Sequence, residues 1–129
     1  MIPWSPVARG ALAKPRSGTS LRAETDPFLK MLVTNQQRDS EKEIIDRVEA
    51  LAKKKGVSMA QVATAWILSK DGTQPFCICS TLVVSAPIVG LNSIERIKEM
   101  VEAVNIELTE EEIKHLEEPY VTRSIAGHT

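Results

Sequence analysis

The sequence holds no apolar run approaching the ~20 residues needed to cross a bilayer. It carries no excess of charge of either sign. Sixteen Lys and Arg against seventeen Asp and Glu leave a net charge of −1, which argues against a general nucleic-acid binder. Cysteine is scarce. Cys77 and Cys79 are too few for a disulfide scaffold and point to a reducing compartment, so the expected location is cytoplasmic. No second Cys or His pair follows Cys77-x-Cys79 at ligand spacing, which favours incidental or buried thiols over a metal site. The start, Met1-Ile2-Pro3-Trp4-Ser5-Pro6, lacks a basic segment followed by an apolar stretch and does not read as a secretory signal. What is there is a globular mixture, 43% apolar and 26% charged over 129 residues, enough for one domain or a piece of a larger one.

Ile2 to Trp4 is short and apolar. Ser5-Pro6 follows, and Pro6 pushes Ser5 toward an extended conformation, so this reads as the end of a strand entering a loop. From Val7 to Asp39 no period is sustained. Gly10, Pro15, Gly18 and Pro27 punctuate the segment. Over residues 9 to 30, Arg9, Lys14, Arg16, Arg22 and Lys30 face only Glu24 and Asp26, a local charge of +3 that suits an anionic ligand.

Four helix starts are legible. Ser40-Glu41-Lys42-Glu43 has the form of a capping box, followed by Ile44, Ile45, Val48, Leu51 and Ala52 on one face. Lys53-Lys54-Lys55 favours the C-terminal dipole and Gly56 stops that helix. Ser58-Met59-Ala60-Gln61 is a second box, with Val62, Ala63, Trp66 and Ile67 as a buried stripe ending near Ser69 or Lys70. Asn92-Ser93-Ile94-Glu95 opens a third helix, in which Ile94, Ile97, Val101 and Val104 share a face. Thr109-Glu110-Glu111-Glu112 opens a fourth, acidic one, which Pro119 ends. The Glu run reads as helix-start chemistry and not as a paired-carboxylate site; His115 reads as a solvated side chain. Between the helices, Phe76–Cys79 with Leu82–Val84 and Ala86–Gly90 are two strand candidates competing for one slot. Strand, basic loop, two helices, strand and two helices predict an α/β chain with a parallel sheet.

Ile2-Pro3-Trp4-Ser5-Pro6-Val7-Ala8-Arg9-Gly10 closely resembles the seventh-strand signature of the aldo-keto reductases. The likeness is nearest to the fungal aryl-alcohol dehydrogenase-like enzymes and the potassium-channel β subunits. Gly56 to Trp66 is similar to the helix pair after that strand, Ala86 to Ser93 to the eighth strand and its cofactor loop, and Leu108 to Ile113 with Glu117 to Val121 to the final helix and tail. The resemblance covers nearly the whole chain apart from Asp71 to Leu82. It implies the last two βα units of a (β/α)8 barrel, a fold of about 250 residues, in one partial domain over residues 1–129 with a tail from 120.

The resemblance also implies an NADP-dependent oxidoreductase that reduces aldehydes or ketones by hydride transfer. Trp4 then stacks on the nicotinamide, for which a flat indole at a strand end offers an apolar face. Ser5, Pro6, Val7, Ala8 and Arg9 follow the pyrophosphate, and Lys14 and Arg22 match basic positions near the phosphates. Gly90 and Asn92 begin the last loop at a helix N-terminus that suits the 2′-phosphate of NADP. Arg96 pairs with that phosphate and Glu99 with the adenine amino group. Met100 departs from the family, which often has Asn there. The family's catalytic Asp, Tyr, Lys and His lie near earlier strands; Tyr120, His115 and His128 do not map onto them, so no catalytic residue is assigned and no normal turnover is expected. Residues 71–82 read as an insertion arising from a retained intron or a gene-model error. With the abrupt Met1 they predict a truncated or mispredicted product. The alternative is a non-catalytic remnant that serves as an interaction module, binds a full-length reductase or self-associates through exposed strand edges.

Overall fold

The computed structural model describes residues 2–17, 39–70 and 86–122. Arg22, the expected insertion at 71–82, both cysteines and His128 lie outside the described residues, as does the tail beyond 122.

Four helices carry the fold: α1 (Asp39–Lys55), α2 (Met59–Leu68), α3 (Ile94–Glu102) and α4 (Glu110–Glu117). Short 3-10 turns occupy Ala8–Gly10 and Ala103–Asn105. α1 buries the stripe Ile45, Val48, Leu51 and Ala52. It ends at Gly56, whose φ of 67° is open to a residue without a Cβ. There the Val57 amide donates to the Ala52 carbonyl at 3.1 Å and the Gly56 amide to Lys53 at 3.3 Å. These bonds satisfy carbonyls that the helix end would otherwise leave unpaired.

Ser58 caps α2 as expected: its hydroxyl accepts from the Gln61 amide at 3.2 Å, and Gln61 returns the bond to the Ser58 amide at 2.9 Å. Every residue from Met59 to Ala65 is buried, so α2 is covered all round rather than on one stripe. It is the centre of the fold, with α1 on one side and α3 with its 3-10 extension on another. Ile45, Val48, Leu51 and Ala52 meet Met59, Val62 and Leu116 in a single apolar cluster. Leu12, Val57, Trp66 and Leu108 pack on its edge, so the N-terminal segment is tied to the helices by Leu12 and by the Arg16–Asp46 ion pair at 2.8 Å.

α4 is held to α1 by charge as well as by Leu116. The Thr109–Glu112 box is present, but Glu112 also pairs with Lys55 at 2.9 Å and Lys54 at 3.2 Å. Arg47, half-buried on α1, pairs with Glu43 at 2.6 Å and with Glu118 at 2.8 Å, and also donates to the His115 carbonyl. Trp66 donates its indole N–H to Glu117 at 2.8 Å, and Lys70 pairs with the same carboxylate.

Two expectations are corrected. Ser40 does not begin its helix, because α1 already includes Asp39, and the Glu43 carboxylate turns to Arg47. The two strands reduce to one isolated parallel bridge, Trp4 to Ile88, among the described residues. The Ser5 amide donates to the Ile88 carbonyl at 3.2 Å and the Ile88 amide to Pro3 at 2.9 Å. A strand exists only through its neighbours, and here each segment has one neighbour for one residue.

Candidate functional site

The bridge brings the two halves of the chain together. Beyond it the N-terminal segment turns sharply. Ser5, Ala8 and Arg9 have φ of 59°, 48° and 56°, the left-handed region that costs an L-residue roughly 1–2 kcal/mol. The turn is held by Ser5, whose carbonyl accepts from the Ala8 amide and whose hydroxyl accepts from the Arg9 amide, both at 2.9 Å. Such strain clusters where a segment must present its backbone to a ligand. Ala8→Gly should relieve it: the left-handed penalty disappears, offset in part by the greater freedom of Gly in the unfolded chain, for a net gain of about 0.5 kcal/mol. A thermal melt should show a midpoint higher by about 3 °C; a lower midpoint would mean that the turn relaxes without cost.

The opposite wall is the start of α3. Ser93 caps it, accepting from the Arg96 amide at 3.3 Å. Asn92 accepts from the Arg96 guanidinium at 2.9 Å, which fixes that side chain back over the first turn. Glu95, in the same turn, is held below the usual carboxylate range by its own backbone amide and the Ser93 hydroxyl.

Between the walls lies a cleft of about 820 Å³, within the range of ligand sites. It is lined by Trp4, Ser5, Pro6, Val7, Arg9 and Lys14 from one wall and by Gly90, Asn92, Arg96 and Glu99 from the other. Ala8 is not part of the lining; it opens the 3-10 turn. Trp4 is 64% exposed and is therefore not a core aromatic. The Arg9 guanidinium sits over its ring, 5.9 Å from the centroid. Lining residues that the sequence did not single out include Ala60, Ile88, Val89 and Leu91. Ala60 is the floor, brought there by the first turn of α2; nothing local in the sequence marks it. Met100 also lines the cleft, while its sulfur accepts from the Thr64 hydroxyl at 3.0 Å. His115 and Tyr120 belong to α4 and the residues after it, outside the lining.

An exposed indole face, three cations and a capped helix start around one concave surface fit a ligand that is aromatic at one end and anionic elsewhere. Among the described residues no helix is long and apolar enough to cross a membrane.

Comparison with known proteins agrees in kind. The sequence profile of the aldo/keto reductase family matches residues 1–120. The chain is 52% identical over 126 residues to a versiconal hemiacetal acetate reductase of Aspergillus parasiticus, covering 97% of this chain and 33% of that protein. It is 44% identical over 120 residues to a Saccharomyces cerevisiae protein provisionally named an aryl-alcohol dehydrogenase, covering 93% of this chain and 31% of that one. An aldo-keto reductase of Fusarium vanettenii is 33% identical over 129 residues, again with 31% of its length covered. The chain thus spans about a third of the length of the curated relatives it matches. With the match running through both cleft walls and on to Tyr120, the chain belongs to the aldo/keto reductase family.

Proposed function

We propose that this chain is the cofactor-holding part of an NADP-dependent oxidoreductase, formed by the last two βα units of a (β/α)8 barrel. The whole domain would pass hydride between the nicotinamide and an aldehyde or ketone. The observation that carries this reading is the convergence on one cleft of residues from two distant segments, Trp4 to Lys14 and Gly90 to Glu99. Trp4 would take the nicotinamide face, the Ser5–Arg9 turn the pyrophosphate, and Arg96 with the Ser93-capped helix start the 2′-phosphate. Arg22 is proposed for the phosphates on the resemblance alone. No residue of the chain is proposed as acid or base, and residues 71–82 are proposed as an insertion. A cytoplasmic location is part of the same reading.

Titration of the purified chain with NADPH, followed by calorimetry, should give saturable binding. Arg96→Ala removes a charge-assisted partner and should weaken it by about tenfold, with the far-UV spectrum unchanged because Arg96 is exposed. Absence of saturable binding, or equal affinity in the variant, would overturn the reading. The second reading, a remnant whose role is to bind another polypeptide, is favoured by one observation: the apolar side of α3 faces outward.

A further inference from the structure

We propose that Gln61 is a positioning residue for the cleft: its side-chain amide ties the floor on α2 to the wall on α3 and holds Arg96 and Glu99 toward the cleft. The role toward the cofactor rests on the proposed function; the placement of the wall does not.

Gln61 and Thr64 are the two buried polar side chains among the described residues, 7% and 2% exposed. They stand three positions apart on α2 and so share a face. Burying a polar group is costly unless it is bonded, and both spend a donor on neighbouring residues of one element. Gln61 Nε2 donates to the Glu99 carbonyl at 2.9 Å, and the Thr64 hydroxyl donates to the Met100 sulfur at 3.0 Å. Glu99 and Met100 both line the cleft, as does Ala60, the residue before Gln61. The other end of the Gln61 amide is committed too, since its Oε1 accepts from the Ser58 amide at 2.9 Å. One side chain thus joins the cap of α2 to the cleft side of α3.

The Glu99 carbonyl needs that donor. A continuing α-helix would give it the Ala103 amide. Instead α3 tightens into the 3-10 turn Ala103–Asn105, and the Ala103 amide donates to Met100 and Val101. Gln61 supplies what the turn withholds. Packing within the chain does not fix the rotation of α3 either: the helix contains no buried residue, and Ala103 just beyond it is buried through a methyl group alone. A methyl contact tolerates rotation about the helix axis, whereas a hydrogen bond is directional. Rotation would carry Arg96, Glu99 and Met100 off the cleft together, and a displacement of about 1 Å is enough to loosen a site.

Two substitutions isolate the bond. Gln61→Glu keeps the acceptor for Ser58, loses the donor to Glu99 and adds a charge. Gln61→Met loses both bonds and adds no charge. The effect common to the two belongs to the Glu99 contact. In each, amide hydrogen exchange followed residue by residue by NMR should run about tenfold faster across α3, while α1 keeps its protection. NADPH affinity, measured by calorimetry, should fall about tenfold in each. Gln61→Met combined with Arg96→Ala should weaken binding by well under the roughly hundredfold of two independent sites, because both act through one wall; a purely structural loss would multiply. Unchanged exchange across α3 in either variant would overturn the proposal. So would protection lost from α1 along with α3 in both, which would make Gln61 a residue of the core alone. In a chain that binds NADPH, unchanged affinity in either variant or a multiplied loss in the combination would overturn it as well. A wild-type chain that binds no NADPH loses the cofactor reading by itself, and the exchange rates still decide whether Gln61 sets the wall.

Discussion

Leu51→Ala is expected to destabilise the chain by about 3 kcal/mol, within the 2–5 range for emptying a packed leucine site. Leu51 is 6% exposed and stands where α1 meets α2 and α4, in the same cluster as Val62 and Leu116. Three helices converge there, so none can move in to fill the hole without leaving another partner. The loss is a large share of the roughly 5–15 kcal/mol that holds an ordinary domain. Urea denaturation followed by far-UV circular dichroism measures it. Ile97→Ala on the outward side of α3 is the contrast, with a change within about 0.5 kcal/mol. A loss under about 1 kcal/mol at Leu51 would show that the three helices do not share a core there.

The second large effect belongs to Glu112. Its carboxyl is lowered from the usual 4.5 to about 2, first by the hydrogen bond from Lys55, against a smaller opposing cost of burial. The side chain is 12% exposed and the Lys55 partner is also mostly covered. Glu112→Gln should cost about 2 kcal/mol, between the value of an exposed pair and that of a buried one. Lys55 keeps the Glu107 carbonyl at 3.0 Å, which limits the loss. Because the folded-state value is depressed, the pair contributes in full above pH 4.5. Below that the unfolded chain takes up the proton first, and the contribution fades as pH falls toward about 2. Melting midpoints of wild type and Glu112→Gln should therefore differ at neutral pH and converge between pH 4.5 and 2. Glu118, lowered by Arg47, adds its own slope in both proteins, so the difference between the curves is the quantity to read. Parallel curves would mean that the Lys55–Glu112 pair does not hold α4 to α1.

What could be read from the sequence was what is decided within four residues. Ser58 with Gln61, Thr109 with Glu112 and Gly56 after three lysines each close hydrogen bonds to near neighbours, and each is where the pattern put it. Ser40 has the same local pattern, yet α1 runs through it, because Glu43 finds a stronger partner in Arg47 one turn on. Long-range pairing was not legible. Nothing near Arg47 announces Glu118, 71 positions away, and nothing near Lys55 announces Glu112. The strands were legible only as far as the parallel pairing of Trp4 with Ile88, for a related reason: an extended segment is recognised by its side chains but made by the chain beside it. The cleft residues were found through their resemblance to a family, whereas Ala60 and Met100 enter the lining only because α2 and α3 cross beneath it.

The Trp4–Ile88 bridge has a consequence for the order in which the molecule assembles. Joining two positions so far apart costs chain entropy of about 4 kcal/mol, while its two backbone bonds return about 1 kcal/mol each. The bridge therefore does not close by itself. The hairpin of α1 and α2, linked through Gly56 to Ser58, can form early from local contacts, and the N-terminal turn is drawn in afterwards through Leu12. The concave surface therefore closes only once the helical core is there to draw its two walls together.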